Sequence, residues 1–376
     1  MIHVRSIPTP GTRMASLELS GMPDGSCQAT YWADVTLDDR GHAWLPASLP
    51  ILMRIAERAT FDDLLDPVGL AGSERAQDLL IGWYPALHRV AINAETGESG
   101  SPHPGVGCFF SGGVDSFYSA IVRSAQITHL IFVHGLDVGF DDVRRGEMAL
   151  AAARAAAHEL GKPLISVRTD IRRVSDRWSP WGEEYHGAAL ASVGLLLSEH
   201  VGHVIVPATY QTPDMSPWGS HPKLDPLWST SRVTFEHHGV ELTRTEKIAA
   251  ITPNDIAMRY LRVCWEGDGE AYNCGRCSKC LRTMASLRAY RALDACATLP
   301  HQADWRLLRD VRKPKHYEVV DAKAILEALA ARGVRERGLR RELQGMVRRD
   351  RLWRSARRLR AAARTTLKRV RVRDTE

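Results

Sequence analysis

The stretch "CFFSGGVDSFYSA", residues 108–120, decides the fold. An apolar run ends at Phe110, two glycines sit between Ser111 and Ser116, and apolar residues then recur at helical spacing. The order reads as strand, tight turn and helix. Gly112 and Gly113 leave the turn without side chains, so a ligand can approach the backbone N–H groups. The helix N-terminus beyond them adds partial positive charge. The Ser111 and Ser116 hydroxyls can donate hydrogen bonds to anionic oxygens. Such a turn suits a polyphosphate, or it is a plain strand–helix connection capped by Asp115 or Ser116. The patterns GxxxxGK[ST] and GxGxxG are both absent, which excludes the two commonest phosphate loops.

Outward from this turn the same rhythm continues. "GVGCFF" (105–110), "HLIFVHGLDV" (129–138), "PLISVRTD" (163–170) and "HVIVPAT" (203–209) read as buried strands. "DSFYSAIVRSA" (115–125), "DDVRRGEMALAAARAAAHELG" (141–161) and "EEYHGAALASVGLLLSEHVG" (183–202) read as the helices between them. Apolar strands alternating with helices predict an α/β, Rossmann-like parallel sheet covered on both faces. Ligands on such sheets bind at the carboxyl ends of the strands. Residues 1–100 read as a separate α+β piece. It has a strand within "CQATYWADVTLDD", a helix after Pro50, a second helix capped by Ser73, and a Gly/Ser/Pro-rich linker, "TGESGSPHPG". This α/β domain would span 105–250, a cysteine-bearing helical region 251–331 and a basic helical tail 332–376.

The chain has 376 residues, 44% of them apolar, enough to bury a core. No run of eighteen apolar residues free of charge occurs, and the N-terminus carries no apolar signal core; we expect a cytoplasmic protein with no transmembrane segment. The net charge of +6 hides a division. Residues 332–373 hold 17 Lys and Arg against 3 Asp and Glu, while the rest of the chain holds 33 against 41. A mildly acidic body carries a basic tail.

Four of the seven cysteines crowd into seventeen residues, "CWEGDGEAYNCGRCSKC" (264–280), as C-x9-C-x2-C-x2-C. Cys264, Cys274, Cys277 and Cys280 suit tetrahedral Zn2+ as a closed knuckle, with Gly275 helping the backbone bend. An iron–sulfur cluster also takes four thiolates. Cys108, in the strand before the turn, is expected to be buried.

"SGGVDS" (111–116) resembles the PP-loop of the ATP pyrophosphatase superfamily, whose members adenylate a substrate and release pyrophosphate. Together with the cysteine cluster it resembles the 7-cyano-7-deazaguanine synthase family over about residues 105–290. The resemblance implies that Ser111, Gly112, Gly113, Val114, Asp115 and Ser116 hold the pyrophosphate part of ATP, with Asp115 near Mg2+ or the phosphates. "LTRTEKI" (242–248) resembles a basic segment before the cysteines, and the resemblance implies a catalytic role for Arg244, with Lys247 beside it. Asp137 matches an aspartate at the end of the second strand, and His134 beside it joins the cofactor side. Arg282 matches an arginine just after the last cysteine. The implied enzyme is an adenylating ligase acting on a small-molecule or peptide-borne carboxylate, then transferring ammonia or another nucleophile. A PP-loop sulfurtransferase is the enzymatic rival, and a non-enzymatic nucleotide- or nucleic-acid-binding module the other. Residues 1–100 and the segment beyond 300 have no counterpart in the synthases. The whole chain is similar to longer PP-loop proteins sharing "PWGSHP", "DPLWST" and the cysteines.

The loop-rich stretch 208–245 is long enough to be functional. Within it Trp218 and Trp228 could stack on a planar substrate, and His221 and Asp225 could hydrogen-bond it; the alternative is that the tryptophans cap the sheet while Pro213, Pro217, Pro222 and Pro226 stiffen the loop. His134, His186 and His221 could be site members, but each reads more readily as a hydrogen-bonded structural histidine. In the tail, Leu339, Leu343, Met346, Trp353, Leu359, Ala363 and Leu367 fall on one helical face. The tail could pack on the body, contact RNA, DNA or an anionic membrane surface through its arginines, or be partly disordered, and a homodimer is a further partner to be considered.

Overall fold

The computed structural model describes residues 1–9, 11–97, 100–211, 215–264 and 271–373, the side chains of 356–373 excepted. Ten strands form one sheet. They are β1 (Ile2–Ile7), β2 (Met14–Met22), β3 (Gly25–Ala33), β4 (Arg58–Phe61), β5 (Ala91–Asn93), β6 (Val106–Phe109), β7 (His129–His134), β8 (Leu164–Thr169), β9 (His203–Pro207) and β10 (Thr234–His238). Their order is β10-β9-β6-β7-β8-β3-β2-β1-β4-β5. From β10 to β8 all pairs are parallel, as the alternation of apolar strands and helices requires. The antiparallel pairs are β8–β3, β3–β2 and β2–β1.

Side chains alternate across this sheet with period two. Cys108, Phe110, Leu130, Phe132 and Ile205 turn to one face, where they meet α3 (Val114–Val122), α4 (Val143–Glu159), α7 (Arg244–Ile251), α8 (Asp255–Tyr260) and α9 (Ser278–Ala289). Phe109, Ile131, Val204 and Val206 turn to the other face, onto α1 (Trp44–Ile55), α2 (Pro67–Trp83) and α6 (His186–Leu196). A short helix, α5 (Arg172–Ser175), follows β8. Helices on both faces of a mostly parallel sheet confirm the α/β reading.

The N-terminal segment, read from sequence as a piece of its own, shares both sheet and core with the rest. Tyr31, Trp32 and Ala33 pair with Thr169, Arg168 and Val167, and the residues of α1 and α6 lie in one apolar cluster. Two of its helices begin earlier than expected. α1 starts at Trp44 and carries Pro50 inside, where the missing N–H lies in a helix whose first ten residues are buried by packing. α2 starts at Pro67, with Asp66 rather than Ser73 as its cap; the Asp66 carboxylate accepts from the Val68 and Gly69 amides. β10 also lies inside the stretch read as loop.

The basic tail is in part core. α10 (His316–Ala331) and α11 (Arg337–Arg373) pack with α9 in a third cluster containing Leu281, Val319, Ile325, Leu339, Leu343, Met346 and Val347. Trp353, expected on this face, is exposed, and the side chains of Leu359, Ala363 and Leu367 lie outside the described residues. Each large apolar side chain buried here stabilises by about 1.5–3 kcal/mol. Removal of residues 334–376 is therefore expected to lower the thermal midpoint. Unchanged melting of the truncated chain would contradict the packing role.

Candidate functional site

The strand order places a topological switch point between β6 and β9, because the chain leaves β6 for β7 on one side and later returns to β9 on the other. A crevice at the carboxyl ends of two such strands is where open α/β sheets take ligands. The glycine turn lies there. Gly112 has φ +74°, a conformation that disfavours any residue with a Cβ. The turn is held from outside by Arg262, whose amide donates to the Gly112 carbonyl (2.8 Å). Gly113 is the N-cap of α3, and no side chain caps that helix. The Ser116 hydroxyl does not face outward as expected: it donates to the Gly113 carbonyl (3.0 Å) and so braces the turn.

Asp115, in the first turn of α3, pairs with Arg244 at the start of α7; Arg244 Nη1 donates to Asp115 Oδ2 at 2.8 Å. The Thr209 hydroxyl, beyond β9, lies 3.4 Å from the same oxygen. α7 begins at this point because Thr243 and Glu246 form a reciprocal capping box. The pair is incompletely satisfied: Asp115 Oδ1 and Arg244 Nη2 are buried and have no hydrogen-bond partner. Buried polar atoms seldom stay unpaired in a folded chain without a reason. Lys247, one turn further along α7, is fully buried and donates to the Ala208 carbonyl, bracing the end of β9 rather than reaching into the crevice. Burial lowers its pKa.

Three charged residues join this pair from the C-terminal side. Arg282 on α9 forms a buried ion pair with Asp321 on α10, and its guanidinium lies over the Tyr317 ring, 5.1 Å from the centroid. Tyr317 in turn packs on Tyr210 beyond β9. Burial pushes the Asp321 carboxyl up, against the pull of Arg282 and Arg244. The ammonium of Lys279, also on α9, is withdrawn from water, with Arg244, Asp137, Asp115 and Arg282 as its charged neighbours; burial, then the nearby Arg244, bring its pKa down to about 7. Asp137 thus belongs to the charged cluster although it is exposed. His134 does not turn toward the cluster. Its Nε2 meets the Gly139 carbonyl at 3.1 Å, and its ring fills the space where a Cβ on Gly146 would stand. Sequence reading singled out neither Lys279, Asp321, Thr209 nor Arg262; the lysine between two candidate ligands was the one signal available.

The four clustered cysteines converge, their Sγ atoms all within 4.8 Å of one another. Cys264 and Cys277 stand 3.9 Å apart and Cys274 and Cys280 3.8 Å. A tetrahedron with Zn–S bonds of about 2.3 Å has edges of about 3.8 Å, so the set fits a single zinc-sized ion. The Cys277 amide donates to Cys274 Sγ (3.3 Å) and the Cys280 amide to Cys277 Sγ (3.4 Å), bonds that favour thiolates. Interaction with the neighbouring Cys280 thiol draws the Cys277 thiol well down and raises Cys280. Buried Asn273 ties the knuckle down, accepting from the Val263 and Cys264 amides. Gly275 has φ +68°, and a Cβ there would strike Pro300 at 2.6 Å.

Comparison of the chain with models of known families, with curated proteins and with solved structures finds no match.

The proposed substrate loop is sewn into the fold more than it lines the crevice. Trp228 is 3% exposed in the core on the α6 face, so it cannot stack on a ligand. Asp225, 2% exposed, accepts from the Ser220 hydroxyl (2.8 Å), the His221 amide (3.2 Å) and His237 Nδ1 (2.6 Å). His221 packs edge-on against Trp83, with ring centroids 4.8 Å apart. Trp218 is exposed, and its ring occupies the space where a Cβ on Gly182 would stand. Pro213 lies outside the described residues. His186 sits beside Trp181, near Asp137 and Asp225, and burial lowers its pKa. Cys108 is fully buried, as expected. No helix among the described residues is long and apolar enough to cross a membrane.

Proposed function

We propose that this chain is an ATP-dependent adenylating ligase of the PP-loop type, with a Rossmann-like nucleotide domain. The observation that carries the reading is the half-satisfied Asp115–Arg244 pair beside an uncapped, glycine-entered helix at the switch point. Arg244 Nη2 is a buried donor without an acceptor, and the start of α3 has no side-chain cap, in a place where the Gly112 to Val114 amides suit a phosphate chain. The reaction begins with attack of a substrate carboxylate oxygen on the α-phosphorus of ATP. The bond to the bridging oxygen breaks, pyrophosphate leaves, and an acyl adenylate remains. Negative charge grows on the leaving group, and preorganised donors that need no rearrangement lower that barrier. Ammonia or another nucleophile then displaces AMP. Asp115 Oδ1 and Asp137 are the carboxylates that would hold Mg2+, which neutralises phosphate charge when bound.

Zinc belongs in this reading as a structural ion. With Cys264, Cys274, Cys277 and Cys280 gathered in one set, and Cys108 and Cys296 buried, no cysteine stands ready beside the turn to carry sulfur. That favours the ligase over a PP-loop sulfurtransferase. The test is incubation of the metal-loaded protein with ATP, Mg2+, ammonium and a panel of carboxylates. Pyrophosphate and AMP are expected in equal amounts with the correct substrate. ADP and phosphate as products would overturn the mechanism. Salt-sensitive RNA binding with no nucleotide turnover would point instead to a nucleic-acid-binding module.

A further inference from the structure

α11 runs without a break from Arg337 to Arg373, but its character changes after Asp350. The single apolar face expected of the tail divides in two. Leu339, Leu343, Met346 and Val347 are buried in the cluster shared with α9 and α10. At about 3.6 residues per turn that stripe continues through positions Arg354, Arg357, Arg364, Lys368 and Arg371, all of them cations. The face that packs on the body thus turns basic where the packing ends. Asp350, which accepts from Arg354 Nε at 2.8 Å, is the last acidic residue before Asp374. Residues 351–355 are exposed, Leu352 at 66%.

A second apolar stripe begins where the first is lost. Leu352, Ala356, Leu359, Ala363, Leu367 and Val370 recur at helical spacing, within a sector of about 80° on the helix. That sector is turned by about 130° from the buried one. Residues 351–373 carry ten Lys and Arg and no Asp or Glu. A narrow apolar stripe bordered on both sides by arginine is the pattern of a helix that lies in a lipid–water interface.

Three partners answer the charge or the stripe, and one answers both. RNA neutralises arginines but leaves the leucine stripe in water. A second copy of the helix covers the stripe but brings two rows of cations together. An anionic bilayer supplies headgroups for the cations and an acyl boundary for the leucines. It also relieves the helix itself, in which Arg354 and Arg358, Arg360 and Arg364, and Arg364 and Lys368 are like charges four residues apart.

We propose that residues 351–373 form an interfacial helix that docks this protein on an anionic lipid surface, the Leu352–Val370 stripe toward the bilayer. Docking and adenylation are separate properties, so either can fail without the other. Co-sedimentation of the full-length, metal-loaded protein with lipid vesicles is the test. Phosphatidylcholine vesicles containing about one-third phosphatidylserine should bind it about 10-fold or more tightly than phosphatidylcholine alone. Raising the salt from about 0.1 M to about 1 M should weaken that binding. Leu359→Ser/Leu367→Ser keeps every cation, yet vesicle affinity should fall about 10-fold or more. Arg357→Gln/Arg364→Gln/Lys368→Gln should lose about 10- to 100-fold. Both variants should hold their metal and melt like wild type, because the substituted positions lie beyond the packed stripe. Should either fail to accumulate, removal of residues 356–376 should abolish vesicle binding without lowering the melting temperature.

Equal binding to the two vesicle types, or binding to neither, overturns the proposal. Wild-type vesicle affinity in the leucine variant overturns it as well, since the arginines alone would then suffice. Binding of single-stranded RNA that survives the leucine substitutions, with no binding to vesicles, would assign the tail to nucleic acid instead. A dimer lost in the leucine variant, again without vesicle binding, would assign it to a second copy of the chain.

Discussion

Asp115→Ala is expected to abolish pyrophosphate release and to destabilise the fold. The substitution leaves Arg244, 5% exposed, with no carboxylate opposite it. Removing one partner of a buried ion pair costs about 3–5 kcal/mol, because the remaining charge stays desolvated. The chemistry should suffer separately, since loss of one preorganised group at a developing charge slows reactions by about 10²–10³-fold. Two further variants part the effects. Asp115→Asn keeps the size and an acceptor for Arg244, so its melting temperature should lie near wild type while pyrophosphate release falls. The double variant Asp115→Ala/Arg244→Met should regain stability without activity. Full release from a folded Asp115→Asn protein would remove Asp115 from the reaction.

The second large effect is expected at the knuckle. Cys280, in the first turn of α9, is fully buried in the core of that sheet face, and its Sγ is one vertex of the sulfur tetrahedron. Cys280→Ala should lose the ion and several kcal/mol of folding free energy, because binding energy in a structural metal site is folding energy. At roughly 2–4 °C per kcal/mol the melting temperature should drop on the order of 10 °C or more. Metal analysis and thermal melting of the same preparation check this. A variant that melts like wild type without metal would show that the thiols merely pack.

The strands and helices from 105 to 209 were legible because period-two apolar runs and helix formers alternate there without ambiguity. The cysteine cluster was legible because its short spacings constrain geometry by themselves. The join between Tyr31–Ala33 and Val167–Thr169 was not, since a three-residue pairing between segments so far apart leaves no local trace. β10 was missed because "TFEHH" has a single buried apolar residue, Phe235. Trp228 shows the limit of composition: a tryptophan in a proline-rich loop reads equally as ligand platform or core, and burial alone separates the two. At the site, the turn, Asp115 and Arg244 could be found from the sequence. Lys247 and Ser116 could be found too, yet each spends its polar group on the backbone instead. Asp321 and Tyr317 could not be found, because they arrive from a helix in a segment with no motif.

The antiparallel joint also has a kinetic consequence. On the ribosome β1, β2 and β3 emerge well before β8 and can pair as a local meander, but the outer edge of β3 has no partner until β8 has been made. Tyr31 waits 138 residues for Thr169. At about 5–20 residues per second that is roughly 7–28 s with an unpaired strand edge exposed. Such an edge is a template for pairing with another chain. Slowed translation between residues 33 and 164 should therefore send more of this protein into aggregates, whereas slowing after 169 should not.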